Sequence, residues 1–566
     1  MNEHEDKTRL ADDQTQAPEQ PARRQLLGRM AVAGAAIAVA GQAAPASAGS
    51  APSRLTPAQT DALLRKHIGH VVVIFAENRS FNNLFANFPG VEKPLSSLKP
   101  EDYRQRDRDG SVLQTLPKIW GGLVPHEQEV NHRRWKIGRD DLTGLPNAPW
   151  ALKAPDGSPL PHGVVTGDLW HLFYQNQMQI NGGKNDGFVA WGNTGAQVMG
   201  YYADSSVNLR LWQLARQYTL CDNWFMGAFG GSFLNHQYLV AAQPPFYPKA
   251  DQSPARFSIA QVEGDDPAGT RLVLAEDSPA SAMDGHAKFA SRSTLTPDFR
   301  AVNTIGPPYA PGFNTDPHNP ALADASSPNT LPPQSHATIG DALSEKGIDW
   351  AWYGGGFQLA LDGKGDGDDS TYPPTPNFQA HHQPFNYFQR FAPGTEDRKR
   401  HLRDGGFGDT APHNRFIADI EAGTLPQVSY YKPQGDLNMH AGTSDVEAGD
   451  RHIAHVVDAI QKSRHWQDTL IIITVDENGG WWDHVAPPKA DRWGPGSRIP
   501  ALVVSPFAKK GHVEHTVYDT GSIARFLTRR FSLNKLPALA EREEAMRKAS
   551  GFAPGDLTEL LDFSQA

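Results

Sequence analysis

Two stretches of this chain end alike. HVVVIFAENRSF (70–81) runs into Glu77 and Asn78, and TLIIITVDENGGWWDH (469–484) runs into Asp476, Glu477 and Asn478. In both, an apolar run long enough for a strand terminates in carboxylate and amide side chains. If the two runs are neighbours, Glu77, Asn78, Asp476 and Glu477 converge as hard oxygen donors. Three carboxylates do not crowd together ionised unless a cation neutralises them. The pair therefore predicts one divalent metal ion. With oxygen donors and no thiolate, Ca²⁺, Mg²⁺ or Mn²⁺ is favoured over a zinc of the His/Cys type. Either tripeptide alone reads equally as a polar strand exit or a helix cap.

A metal needs something to activate, and FMGAFGGSFLNHQYLVAA (225–242) offers Ser232 behind Gly230 and Gly231 at the start of a helical pattern. Free backbone N–H groups and the positive end of the helix dipole suit a phosphoryl group at that place. The other reading is a plain helix cap. The run is not the G-x-S-x-G elbow of acyl hydrolases, because Leu234 stands where the last glycine belongs. No H-E-x-x-H exists, since Val130 closes HEQEV. His171, His381, His382, His440 and His484 are candidates to grip a dianion or protonate a leaving group. Among 22 histidines, spacing alone does not choose between them.

The elements that must position these groups read as an α/β fold. Strand-like runs at 70–75, 350–354, 427–433, 470–476 and 501–507 alternate with helical patterns at 208–219, 336–348, 453–463 and 522–531. Such alternation predicts a mostly parallel sheet sandwiched by helices. The unbroken apolarity of LIIITV predicts burial on both faces. Ligands then gather at the carboxyl ends of the strands, where both acidic tripeptides lie. Residues 243–335 and 356–415 break the rhythm and read as loop-rich insertions in a single catalytic domain covering 49–566. Within the second, the acidic run DGKGDGDD (362–369) fits a solvated loop or a calcium-binding loop.

The whole chain has 566 residues, 39% hydrophobic and 20% charged, with a formal charge of −10. That balance argues against a non-specific nucleic-acid binder. The one cysteine, Cys221, excludes an intramolecular disulfide framework and a Cys-based zinc site. At the N-terminus, Arg23–Arg24, the alanine-rich run 30–41 and ASA (46–48) form the three-part layout of an export signal over 1–48. The paired arginines predict the twin-arginine route and a periplasmic or secreted protein. Beyond the signal no apolar run reaches membrane-spanning length, so no stable membrane insertion is expected.

AENRSF, GGSFLNHQYL, NMHAG and VDENGGWWDHVAPP together resemble the phosphoesterase family of bacterial acid phosphatase AcpA and the non-haemolytic phospholipases C. That family is a branch of the alkaline phosphatase superfamily. The likeness runs from about residue 68 to about 530 and implies an alkaline phosphatase-like fold. It implies that Glu77, Asn78, Asp476 and Glu477 hold the metal and that Ser232 is both nucleophile and metal ligand. It further implies that His440, His381 and His382 serve the phosphate site, with Asn235 and His171 near the substrate. Phospholipase members show a Thr nucleophile followed by Asn-Pro-Asn-Arg. Here Ser-Phe-Leu-Asn-His follows the acid phosphatase pattern, implying small phosphomonoesters as substrates, a phosphoserine intermediate and activity below about pH 6.5 through cationic histidines. The rival on the same scaffold is a phospholipase C or phosphodiesterase, whose apolar mouth could be built near Trp481 and Trp482. A metal-dependent binding protein without turnover is a second alternative.

Overall fold

The strand-like runs come together in one mixed sheet. A computed structural model of the chain describes residues 55–363 and 377–565. The proposed export signal and residues 364–369 of the acidic run lie outside the described residues.

The sheet has eight strands: β1 (His70–Ala76), β2 (Thr219–Cys221), β3 (Trp350–Gly355), β4 (Leu402–Gly406), β5 (Val428–Lys432), β6 (Thr469–Val475), β7 (Ala501–Val504) and β8 (His512–Glu514). Their spatial order is β4-β3-β5-β1-β6-β7-β2-β8. Every pairing is parallel except the two made by β7, which runs against β6 and β2. The mostly parallel α/β fold expected from the sequence is thus observed. β1 and β6 are central, and from Val71 to Ala76 and from Thr469 to Val475 every residue is buried. Burying a Val or Ile side chain completely contributes about 1.5–3 kcal/mol, so this pair of strands anchors the core.

Local signals account for the helices that cover the sheet. α1 (Pro57–His67) starts at a capping box between Thr56 and Gln59. α2 (Phe173–Ile180) and α3 (Ser232–Ala241) lie beside the carboxyl ends of the central strands. α4 (Val446–Lys462) begins earlier than its apolar periodicity suggests, because the Asp445 side chain accepts the N–H of Ala448 and caps it there. It turns Ile453, Val456, Val457 and Ile460 inward. α5 (Gly521–Phe531) matches its sequence pattern.

Residues 356–415 are not wholly an insertion, since β4 within them is the edge strand of the sheet. Gly405 and Gly406 disguise it: a Cβ on Gly405 would stand 2.9 Å from the backbone of Gly354 in β3, so only glycine allows that approach. Cys221 is buried in β2 and free. Among the described residues no helix is long and apolar enough to cross a membrane.

Candidate active site

The register of β1 and β6 answers why two buried strands end in acids. Ala76 pairs with Val475, so the next residues, Glu77 and Asp476, leave the sheet side by side. Glu77, Asn78, Asp476 and Glu477 are all fully buried. β5, on the other side of β1, ends in Lys432, whose Nζ lies 2.5 Å from Glu77 Oε1. His382 Nε2 stands 2.8 Å from the same oxygen. Burial opposes ionisation of Glu77, but Lys432, with His382 and His440, outweighs it and holds this carboxyl well below its usual range. Asp476 has no such partner, and burial followed by repulsion from Glu77 pushes its carboxyl well up.

Ser232 is the first residue of α3, with Gly231 at the cap position. Its Oγ–H faces Glu77 Oε2 at 3.2 Å and Glu477 Oε1 at 3.4 Å. Both preceding glycines are sterically required. Gly230 has φ +93°, and a Cβ there would come within 2.6 Å of the Phe173 backbone. On Gly231 it would stand 2.5 Å from His171 O. The turn is therefore pressed against the start of α2, which sets the height of Ser232 above the carboxylates.

Four of the expected histidines surround that serine. His171 Nε2 is 3.9 Å from Glu477 Oε1, with Nδ1 held by Leu169 O at 2.6 Å. Burial acts against its charged form, but Glu477 and then Asp168 prevail and raise its pKa to about 9. His440 sits in a loop bent by Met439 at φ +77°, an uncommon backbone state of the kind found at functional sites. Its Nδ1 faces Ala441 O at 2.5 Å and its Nε2 lies 3.9 Å from Glu77 Oε2. Burial drives His381 well down and His382 to about 4. This pair is therefore neutral, and the expected cluster of cationic histidines is replaced by His171 and Lys432 as the positive groups. In His382 the backbone N–H of Gln379 approaches Nδ1 at 3.4 Å, which leaves Nε2–H to donate to Glu77.

Other expectations meet a different geometry. Asn235 does not line the cavity: its amide bonds Ala228 N and the carbonyls of Ala228 and Gly231, so it braces the glycine turn. His484 lies elsewhere, between Asn82 Oδ1 and Lys93 O. Trp481 and Trp482 are buried in the core and form no mouth. Lys432 and His236 were missed from sequence. His236, one turn after Ser232, places Nδ1 2.7 Å from Ser232 O and 3.8 Å from Asp476 Oδ2. Only the spacing Ser232–His236 hinted at it; nothing in QVSYYKP marks its lysine as buried.

Ser232 opens into a cavity of about 670 Å³ lined by His171, His381, His382, His440, Asn303 and Gln379 among others. Both irregular stretches reach it, 243–335 through Val302, Asn303, Thr304 and Phe313, and 356–415 through Asn377, Gln379 and the histidine pair. The carboxylate cluster beneath suits a cation. Asp476 Oδ2 is buried without a hydrogen-bond partner, and Glu77, His236 and Asp476 each bring a ligand atom within 4.8 Å of the others. A carboxylate oxygen left unpaired in a buried acidic cluster is costly unless a cation takes it.

Residues 68–534 match the phosphoesterase family. The chain is 29% identical over 178 residues to the non-hemolytic phospholipase C of Pseudomonas aeruginosa, covering 26% of this chain and 25% of that protein. It is 24% identical over 539 residues to the non-hemolytic phospholipase C of Burkholderia pseudomallei, covering 88% of this chain and 59% of that protein. The chain thus spans less than two thirds of either relative. A solved protein of the alkaline phosphatase superfamily from Vibrio parahaemolyticus aligns over 41% of this chain and 53% of its own, at 13% identity and a TM-score of 0.23.

Proposed function

The chain belongs to the phosphoesterase family, and from that premise we propose that it is an exported acid phosphatase that hydrolyses small phosphomonoesters through Ser232. That it is a hydrolase of phosphoric ester bonds follows from the family and its phospholipase C relatives. The observation that carries the finer reading is Ser232 Oγ at 3.2 and 3.4 Å from two carboxylates, at a helix start, in a cavity rich in polar side chains. Such a lining offers donors to all three terminal oxygens of a monoester.

Glu77, Asn78, Asp476, Glu477 and Ser232 are the residues that would hold one divalent cation. When bound, it would supply Lewis-acid stabilisation to the serine oxygen and the phosphoryl group. Ser232 Oγ attacks phosphorus and loses its proton towards the carboxylates, the P–O(Ser) bond forms, and the bond to the leaving alkoxide breaks. The free N–H groups of the first turn of α3 and the His171 cation stabilise charge on the equatorial oxygens. His440 protonates the leaving alkoxide. Its Nδ1 is engaged by Ala441 O, so Nε2 is the nitrogen that serves the leaving group. His382 is unsuited to that task because its Nε2–H is committed to Glu77. Water then attacks the phosphoserine, releasing phosphate and restoring Ser232.

A second reading, phospholipase C, is favoured by the names of the relatives and by Phe313, 47% exposed, at the cavity. Turnover of p-nitrophenyl phosphate, bis-p-nitrophenyl phosphate and phosphatidylcholine, for wild type and Ser232→Ala between pH 5 and 8, separates the two. Monoester cleavage that dominates and is lost in the variant supports the phosphatase. A diester preference moves the chain to the second reading, and activity surviving in Ser232→Ala refutes the nucleophile.

A further inference from the structure

The strands that present the acids at one end carry a different cluster at the other. His70 opens β1, while His465 and Asp468 stand in the turn that leads into β6 at Thr469. A seven-residue strand separates this cluster from Glu77 by roughly 20 Å. His70 Nδ1 is 3.1 Å from Asp468 Oδ1, and the rings of His70 and His465 have centroids 4.1 Å apart. All three residues bring a ligand atom within 4.8 Å of the others. His465 Nε2 is buried and has no hydrogen-bond partner.

The surroundings leave the carboxylate available. The Asp468 backbone is pinned, its O accepting from Gly69 N at 2.8 Å and its N–H donating to His465 O at 3.2 Å. A Cβ on Gly69 would stand 2.1 Å from Asp468 Oδ2, so glycine makes the room in which this carboxylate lies. The neighbouring cations Arg464 and Arg530 donate to the carbonyls of Gly423 and Ile68 instead. The Asp468 side chain is 45% exposed, which gives water and ions access.

We propose that His70, His465 and Asp468 form a second metal site, for a first-row transition ion of the zinc type. Two imidazoles and one carboxylate select such an ion over Ca²⁺ or Mg²⁺. The 3.1 Å between Nδ1 and Oδ1 is close to the roughly 3.3 Å edge of a tetrahedron with bonds of about 2.0–2.1 Å. A ring rotation of His465 closes the third corner, and water takes the fourth. The ion would tie the entries of the two central strands together without touching the chemistry at their exits.

The test uses tag-free protein carrying Asp476→Asn, which weakens the active-site cluster, titrated with Co²⁺ and separately with Zn²⁺. The site predicts a visible Co²⁺ absorption band from mixed nitrogen and oxygen ligands, and a Zn²⁺-dependent rise in Tm. His465→Ala and Asp468→Asn should each weaken Co²⁺ binding at least about tenfold and abolish the Tm rise. In the otherwise wild-type chain, both should leave phosphoester turnover intact. Should the parent show no band, or should band and Tm rise persist in both variants, the site is overturned. Asp468→Asn is nearly isosteric, so a folding defect in the histidine variant does not blur the result.

Discussion

Lys432 Nζ and Glu77 Oε1 lie 2.5 Å apart with both side chains fully shielded from solvent. The lysine comes from the end of β5 and the glutamate from the end of β1, so the sheet itself puts a cation against one member of an acidic cluster. That pairing explains why Glu77 ionises easily while Asp476, fully buried beside it, does not.

Breaking this pair from one side should leave an uncompensated buried charge. Lys432→Met is expected to cost about 3–5 kcal/mol of stability, read by chemical denaturation. The double variant Lys432→Met/Glu77→Gln should recover much of that loss without recovering activity. A double variant no more stable than Lys432→Met would show that the two groups are not coupled.

Gly231→Ala places a methyl group 2.5 Å from His171 O if nothing moves. The φ at this position is an ordinary one, so the effect is steric and not conformational. Relief requires the turn to shift, carrying Ser232 with it. We expect kcat to fall about a hundredfold and stability by about 1–3 kcal/mol. A variant of wild-type kcat would mean that the turn does not set the serine's position.

Asp476→Asn replaces a buried carboxyl, already pushed well up by burial and by Glu77, with a neutral amide of nearly the same shape. In chelator-treated protein this should leave Tm unchanged or raise it. In the presence of Mg²⁺ or Ca²⁺, wild type should gain Tm and the variant should not, with turnover lost. If both gain equally, Asp476 is not a ligand.

His336 predicts an acid limit to stability. Burial, then Arg300, lowers its pKa from 6.5 to about 4, and its Nε2 has no partner. The unfolded chain takes up this proton below about pH 6.5 while the fold refuses it. Stability from this group is therefore complete above pH 6.5 and is lost as pH falls towards 4, by up to about 3 kcal/mol. His336→Phe, which keeps the aromatic contact with Phe388, should flatten the unfolding free energy across that window. An unchanged slope would assign the acid sensitivity to other groups.

Much of the scaffold was legible because its signals are local. Unbroken apolar runs announce β1 and β6, apolar periodicity announces α5, and two glycines before a serine announce a tight turn into a helix. β4 escaped detection because Gly405 and Gly406 carry no strand propensity; they are there for close approach to β3. α4 was read too short because Asp445, not apolar periodicity, sets its start.

The sequence by itself determined the chemistry on offer: the acids at two strand ends, the serine at a helix start, and a supply of histidines. The tertiary structure decided which of these meet and in what charge state. Sheet order brought Lys432 to Glu77, turning a strand-end lysine into a buried counter-ion. Packing of the two irregular stretches over the cavity brought His381 and His382 out of water and made them neutral. Neighbourhood and desolvation are properties of the folded whole, since partners hundreds of residues apart in the chain set each local field.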